Sequence, residues 1–185
     1  MSVKECFIQS MNEIKNIRVL TACGILGALA VALKFVASID IGQYVRIGIS
    51  NMPGMAVSVL FGPSLGGIFW GMLDVIKYLV APSGPFFPGF TLCAVLNGVI
   101  FGLFLYRRSL TLPRMFLAQL TTKLFVNLLL NTYWLSVLYG NGFLAMLPAR
   151  VISNAIMLPI DTALSYVIIR FVQRLWNSSA LGQRV

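Results

Sequence analysis

Asp74, Lys77 and Tyr78 stand at i, i+3 and i+4 in an otherwise apolar run, a spacing that puts all three on one face of a helix. Lys123, Asn127, Asn131 and Trp134 repeat the pattern further along, and Arg150, Asn154 and Asp161 do so again. Charged and amide groups at such spacings hold an anion, neutralise each other, or hydrogen-bond across packed helices. All three roles stay open for single residues: Asp74 can pair with Lys77, Asp161 with Lys123 from a facing helix, and Arg150 can anchor a helix end at lipid headgroups. The whole line of Lys123, Asn127 and Asn131 favours a lined pocket, because helix packing rarely needs three such groups in one row.

The elements that carry these groups belong in a membrane. Of 185 residues 58% are hydrophobic and only 10% charged, with mean hydropathy +0.88, against about 25% charged residues in soluble domains. A spanning helix takes about 20 residues, so the chain holds one helical bundle and no separate soluble domain. The net charge of +9 is read as cations gathered in cytoplasmic connections and not as a nucleic-acid surface. Histidine is absent, as are a phosphate-binding Gly-x-x-x-x-Gly-Lys loop and an acidic cluster. Those absences argue against ATP hydrolysis, histidine-based catalysis, a bound metal and a cofactor, and the chain is not read as an enzyme. Cys6, Cys23 and Cys93 are too widely spaced for a metal pattern and read as small apolar residues.

Apolar stretches at 19–37, 52–61, 65–81, 90–106, 115–138 and 147–169 predict an all-α bundle of six transmembrane helices over 17–176. The short second stretch counts as a crossing because nine of the fourteen cations, among them Lys15, Arg18, Arg107, Arg108, Arg114 and Arg170, then share one side. Both termini become cytoplasmic: residues 1–16 form an amphipathic lead-in and 177–185 a polar tail. Lys34, Arg46, Lys77 and Arg150 fall in the outer half, where positive charge is disfavoured, and together make a candidate site for a ligand with one or two carboxylates.

The outer loop around Pro85, Phe86, Phe87 and Pro88 offers aromatic rings on a proline-stiffened backbone, suited to stacking on a flat heteroaromatic ring or to anchoring at the interface. Trp70 extends that wall. In the first helix Gly24, Ala28 and Ala32 stand four apart, a stripe that admits another helix closely, either inside the bundle or from a partner.

Tyr44-Val45-Arg46-Ile47-Gly48, Phe61-Gly62-Pro63, Asp74-Val75-Ile76-Lys77-Tyr78, Gly84 to Phe90, Asn127 to Thr132 and Leu147-Pro148-Ala149-Arg150 together resemble the folate-specific branch of the S components of energy-coupling factor transporters, over about residues 17–172. The resemblance implies a vitamin receptor of the bacterial cell membrane that captures folate from outside. It also implies docking on a transmembrane coupling subunit driven by two ATPase subunits, through Gly24, Ala28 and Ala32. For a folate, Phe86, Phe87 and Trp70 would border the rings, Asn97, Asn131 and Asn154 would satisfy the pterin, and Arg46, Lys77 and Arg150 would receive the glutamate carboxylates. Another vitamin, such as pantothenate or riboflavin, and a structural subunit with a dry, filled interior are the competing readings.

Overall fold

Glycine and proline cut the apolar runs into helices, and the cuts decide how the helices stack. The computed structural model describes residues 3–178 apart from 15, 37, 42–44, 83, 84, 141 and 142, and only the backbone at some others, Arg46 among them. Helix α1 (Val3–Glu13) precedes α2 (Ile17–Val36), a hairpin of β1 (Ser38–Ile41) and β2 (Val45–Gly48), α3 (Met52–Phe61), α4 (Pro63–Val80) and α5 (Pro88–Leu105). A composite helix follows, made of α6 (Leu112–Thr121), a π-helical segment (Thr122–Leu130) and α7 (Asn131–Tyr139), and α8 (Phe143–Ser178) ends the described chain.

Three of these helices are long and apolar enough to cross a membrane, with apolar windows at Ile17–Phe35, Pro88–Leu105 and Leu147–Trp176, counted among the described residues. Two features depart from the sequence reading. The connection between the first two apolar stretches, an outer loop if both cross, contains the antiparallel hairpin, with Asp40 opposite Arg46. Helix α8 starts at Phe143, ahead of the expected opening at Leu147, and carries Pro148 and Pro159 inside it. Each proline forfeits one backbone hydrogen bond and favours a bend, a cost that packing of the rest of the helix absorbs.

Contacts sort the helix ends into two groups. At one end Lys34 Nζ donates to the carbonyls of Lys77 and Ala81 at 2.8 and 2.6 Å, and Lys77 Nζ donates to the Ser50 carbonyl at 2.8 Å. The C-termini of α2 and α4 and the start of α3 therefore meet there, and the start of α5 packs on α7, where the Phe87 and Trp134 rings lie 5.4 Å apart. At the other end the Ser10 hydroxyl of α1 donates to the Phe61 carbonyl at 2.8 Å and accepts from the Leu65 N–H at 3.1 Å. It thereby serves the last turn of α3 and the first turn of α4, whose caps lack side-chain partners of their own. Tyr106, Arg107 and Trp176 gather at this same end, with Trp176 edge-on to Phe61 at 5.2 Å between ring centres.

Helix α3 is the centre of the bundle. Nine of its ten residues are buried, as expected of a helix that is apolar all round. It reverses into α4 at Gly62, whose φ of +93° is accessible to glycine and strained for other residues. Helices α4 and α5 approach most closely along small residues: a Cβ at Gly102 would lie 2.5 Å from Pro63 Cα, and one at Gly98 would collide with the Gly66 carbonyl. Outward faces carry large apolar side chains such as Ile25, Leu29, Ile68, Met72, Leu92 and Ile156.

Gly102→Ala should lower the unfolding temperature of the detergent-solubilised protein, at a cost of about 1–3 kcal/mol for overpacking against backbone. An unchanged midpoint would mean that α4 and α5 part freely. A second expectation concerns Glu13, whose Oε1 accepts from the Tyr106 hydroxyl at 2.6 Å and lies 3.6 Å from Arg107 Nη2. Burial raises its pKa above the ordinary carboxyl value, against the lowering influence of Tyr106 and Arg107. A carboxyl that binds its proton more tightly when folded adds stability below its unfolded pKa, and that gain is lost as pH rises through the folded one. Glu13→Gln should therefore flatten the fall in unfolding temperature between mildly acidic and neutral pH, and identical pH profiles for the two proteins would contradict it.

Candidate functional site

Between α3, α4, α5, the composite helix and α8 lies a cavity of about 540 Å³. A second, of about 310 Å³, adjoins it toward α4 and α5, and the two share Asn51, Trp70, Asn97, Asn127 and Asn131 as lining residues. Both volumes lie within the roughly 300–1,000 Å³ of small-molecule pockets. Polar side chains supply much of the wall, an arrangement with no use in a filled apolar core.

The composite helix supplies one wall through its change of winding. In an α-helix each four-residue step overshoots the 3.6-residue turn by about 40°, so Lys123, Asn127 and Asn131 would drift around the axis. The π segment has more residues per turn, as the bond from the Asn131 N–H back to the Val126 carbonyl shows, and this offsets the drift. All three residues line the larger cavity, and Gln119 extends the line by one more step.

Deep in the larger cavity Lys123 Nζ meets Asp161 Oδ2 at 2.7 Å, the pairing that the sequence left as one reading of Asp161. The side chains keep 9% and 22% exposure, so the pair is not sealed within protein. Arg150, eleven residues earlier on α8, lines the same cavity, and its Nη1 makes long contacts to Thr132 Oγ1 at 3.3 Å and the Asn127 carbonyl at 3.4 Å. Lys77 and Asp74 line the smaller cavity. Asp74 Oδ2 accepts from Thr91 Oγ1 at 3.0 Å, and Lys77 also reaches Asn51 Oδ1 at 3.2 Å.

Trp70 lines both cavities, with its indole between Gly54 and Gly98: a Cβ at either glycine would come within 2.9 Å and 2.7 Å of the ring. Among the described residues its buried Nε1–H has no acceptor, and Asn97 Oδ1 has no donor. A buried polar atom without a partner costs about 1–3 kcal/mol, a cost that a bound ligand or water removes.

Of the expected site residues, Trp70, Asn97 and Asn131 line both cavities, Arg150 and Asn154 the larger, and Lys77 the smaller. Asn154 Nδ2 also donates back to the Arg150 carbonyl at 2.9 Å. Neither Phe86 nor Phe87 lines these cavities. Phe86 is 47% exposed and lies 5.1 Å from the Tyr78 ring, while Phe87 packs on Trp134 and Phe90, and it is Phe90 that lines the smaller cavity. Lys34, the fourth expected cation, closes the end of α4 instead. The side chain of Arg46 lies outside the described residues, as does Tyr44. Gly24, Ala28 and Ala32 all face outward from α2, whereas Gly27 on the same helix meets Phe69 at 3.5 Å.

Gln119, Thr122, Asn51 and Ser153 were missed. The four-residue stripe extended backwards reaches Gln119, but no spacing rule reaches Asn51, which enters the wall only because β2 returns the chain to the start of α3.

Comparison with known proteins gives one consistent result. The family described as "ECF transporter, substrate-specific component" matches residues 18–169. A protein of Clostridium novyi (strain NT) named "Folate transporter FolT" is 37% identical over 131 residues, 71% of this chain and 76% of the relative. One of the same name from Leuconostoc mesenteroides subsp. mesenteroides is 30% identical over 153 residues, covering 78% and 83%. Among solved structures, "Crystal structure of FolT bound with folic acid" aligns with a TM-score of 0.72 at 31% identity, over 82% of this chain and 92% of that one.

The Lys123–Asp161 pair yields a stability expectation. Lys123→Met alone leaves the partly exposed Asp161 carboxylate without its ammonium and should destabilise the protein by less than the roughly 3–5 kcal/mol of a fully buried broken pair, whereas Lys123→Met with Asp161→Leu should be near neutral or stabilising. Thermal unfolding of both checks this, and a double variant as unstable as the single one would contradict it.

Proposed function

We propose that this chain, which belongs to the family of ECF transporter substrate-specific components, binds folate in its two joined cavities and delivers it to an energy-coupling module for ATP-driven uptake. It is a multi-pass protein of the bacterial membrane and a transporter subunit, not an enzyme. The observation that carries the ligand reading is a polar cavity with Trp70 on its wall and the cations Arg150 and Lys77 toward one end, in a chain whose relatives are named folate transporters. A structural subunit with a dry, filled interior has no use for those volumes.

The proposed topology is six crossings with both termini cytoplasmic. In support, α2, α3, α4, α5, the composite helix and α8 alternate between the same two groups of helix ends, and Arg107 and Arg170 fall toward the end that carries α1. Ten residues of α3 rise only about 15 Å, half a hydrocarbon core. Its neighbours cover it so fully that it has little lipid to meet.

In this orientation the end of the bundle that carries Lys77 faces the outside. Arg150 and Lys77, with Arg46 as a further candidate, take the glutamate carboxylates, because guanidinium and ammonium groups bind carboxylates by charge-assisted hydrogen bonds. Trp70 lies along the rings, Asn97, Asn131 and Asn154 offer amides, and Phe86 and Phe87 belong to the outer rim. The outward stripe of Gly24, Ala28 and Ala32 is the proposed docking face for the coupling subunit, since an added Cβ at Gly24 meets no atom of the described residues within 4 Å.

Thermal unfolding with folic acid, 5-formyltetrahydrofolate, pantothenate, riboflavin and thiamine tests the reading, since saturation at 100 times Kd adds about 2.7 kcal/mol. Only the folates should shift the midpoint. Arg150→Ala should fold and lose about 2–5 kcal/mol of folic acid binding. A shift with pantothenate or riboflavin alone, or undiminished affinity in folded Arg150→Ala, would overturn the ligand or the residue assignment respectively.

A further inference from the structure

The larger cavity has two chemically different ends. Arg150 stands near the start of α8 and Asp161 near its middle, eleven residues or about 16 Å of helical rise apart. One end therefore presents a guanidinium, and the other presents a carboxylate joined to an ammonium. An elongated ligand with carboxylates at one extremity fits this polarity best in one direction: its anionic end is drawn to the guanidinium charge of Arg150, unpaired among the described residues, whereas the Lys123–Asp161 pair is neutral overall and offers it no such pull.

Resting on the folate reading above, we infer that the Lys123–Asp161 pair recognises the other extremity, the 2-amino-4-oxopteridine ring. The ring edge carries two adjacent donors, N3–H and the 2-amino group, beside the 4-oxo acceptor. A carboxylate receives two adjacent donors through its two oxygens, and a neighbouring ammonium donates to the oxo group. Asp161 and Lys123 are such a carboxylate and ammonium, already held 2.7 Å apart.

Three observations favour this role over a pair that only neutralises charge within the bundle. Both side chains line the cavity. The carboxylate retains 22% exposure, so its surface is not consumed by protein. Stability alone is poorly served by a buried pair, because apolar residues of similar size usually do as well. The neighbouring polar side chains have partners elsewhere: Gln119 Nε2 donates to Ser165 Oγ at 3.0 Å, and Thr122 Oγ1 to the Ala118 carbonyl at 2.9 Å. That leaves the ion pair as the charged feature of this end of the cavity.

The test is equilibrium binding of three compounds to the whole solubilised chain: folic acid, pteroic acid, which keeps the ring and lacks the glutamate, and p-aminobenzoyl-L-glutamate, which keeps the glutamate and lacks the ring. Each is measured on the unaltered protein, on Asp161→Asn, and on the double variant Lys123→Met/Asp161→Leu, which leaves no unpaired charge if the single change unfolds the chain. Sites built around hydrogen bonds reject ligands that leave them unmade by large factors, so folic and pteroic acid should each weaken by about a hundredfold or more while p-aminobenzoyl-L-glutamate changes by less than about threefold. Unchanged affinity for folic and pteroic acid in a folded variant would overturn the inference, and so would an equal loss for all three compounds, the mark of a general collapse of the site. If the unaltered protein binds no folic acid, the folate reading falls first and this inference with it.

Discussion

Hydrocarbon offers a polar side chain no hydrogen bond, so each amide and charge on these helices must turn toward protein or toward an internal cavity. That requirement orients the bundle. The composite helix turns Gln119, Lys123, Asn127 and Asn131 inward, α8 does the same with Arg150, Asn154 and Asp161, and the two stripes face one another across about 540 Å³. Apolar side chains such as Phe125, Leu129, Ile152 and Ile156 are left on the outside. One physical constraint thus sorts the two faces of each helix and creates the chamber.

A chamber lined by polar atoms is costly unless something braces it, and the bracing comes from small residues. Gly98 and Gly102 on α5 let it approach the backbone of α4 at Gly66 and Pro63, Gly67 on α4 admits Val95 and Val99, and Gly66 admits Ser58 of α3, so that dispersion and weak hydrogen bonds replace the hydrophobic drive that lipid does not supply. Gly98, with Gly54 on α3, also leaves just enough room for the Trp70 ring. Packing at this seam and the position of the Trp70 ring are therefore coupled. At the opposite end, the Ser10 hydroxyl closes the α3–α4 turn from outside, so the lead-in helix is a structural part of the bundle.

Much of the cavity wall was legible because a helix imposes a period. Trp70, Lys77, Asn97, Asn131, Arg150 and Asn154 line the cavities, and each stands where an ionisable, amide or indole group interrupts an apolar run. Phe86 and Phe87 were less legible, because a proline-bounded loop carries no period to say which way a ring turns. In the structure they pack on Tyr78 and Trp134, and Phe90, one turn into α5, supplies the aromatic lining. The π segment also escaped the sequence, since i→i+4 and i→i+5 bonding draw on the same residue types.

By itself the sequence determined the solvent and the chemistry: a membrane, because so little charge cannot hold this much apolar surface in water, and a polar pocket, because three stripes of amides and charges cannot face lipid. It also determined where the chain reverses, at Gly62-Pro63 and at the prolines before α5. Only the tertiary structure decided which groups meet. Lys123 finds Asp161 thirty-eight positions away, Lys77 finds Ser50 and Asn51, Lys34 is drawn off to the carbonyls ending α4, and Ser10 joins helices more than fifty residues on. These pairings depend on how far each helix rotates and slides against its neighbours. Packing of the small residues sets that rotation, and no local spacing rule encodes it.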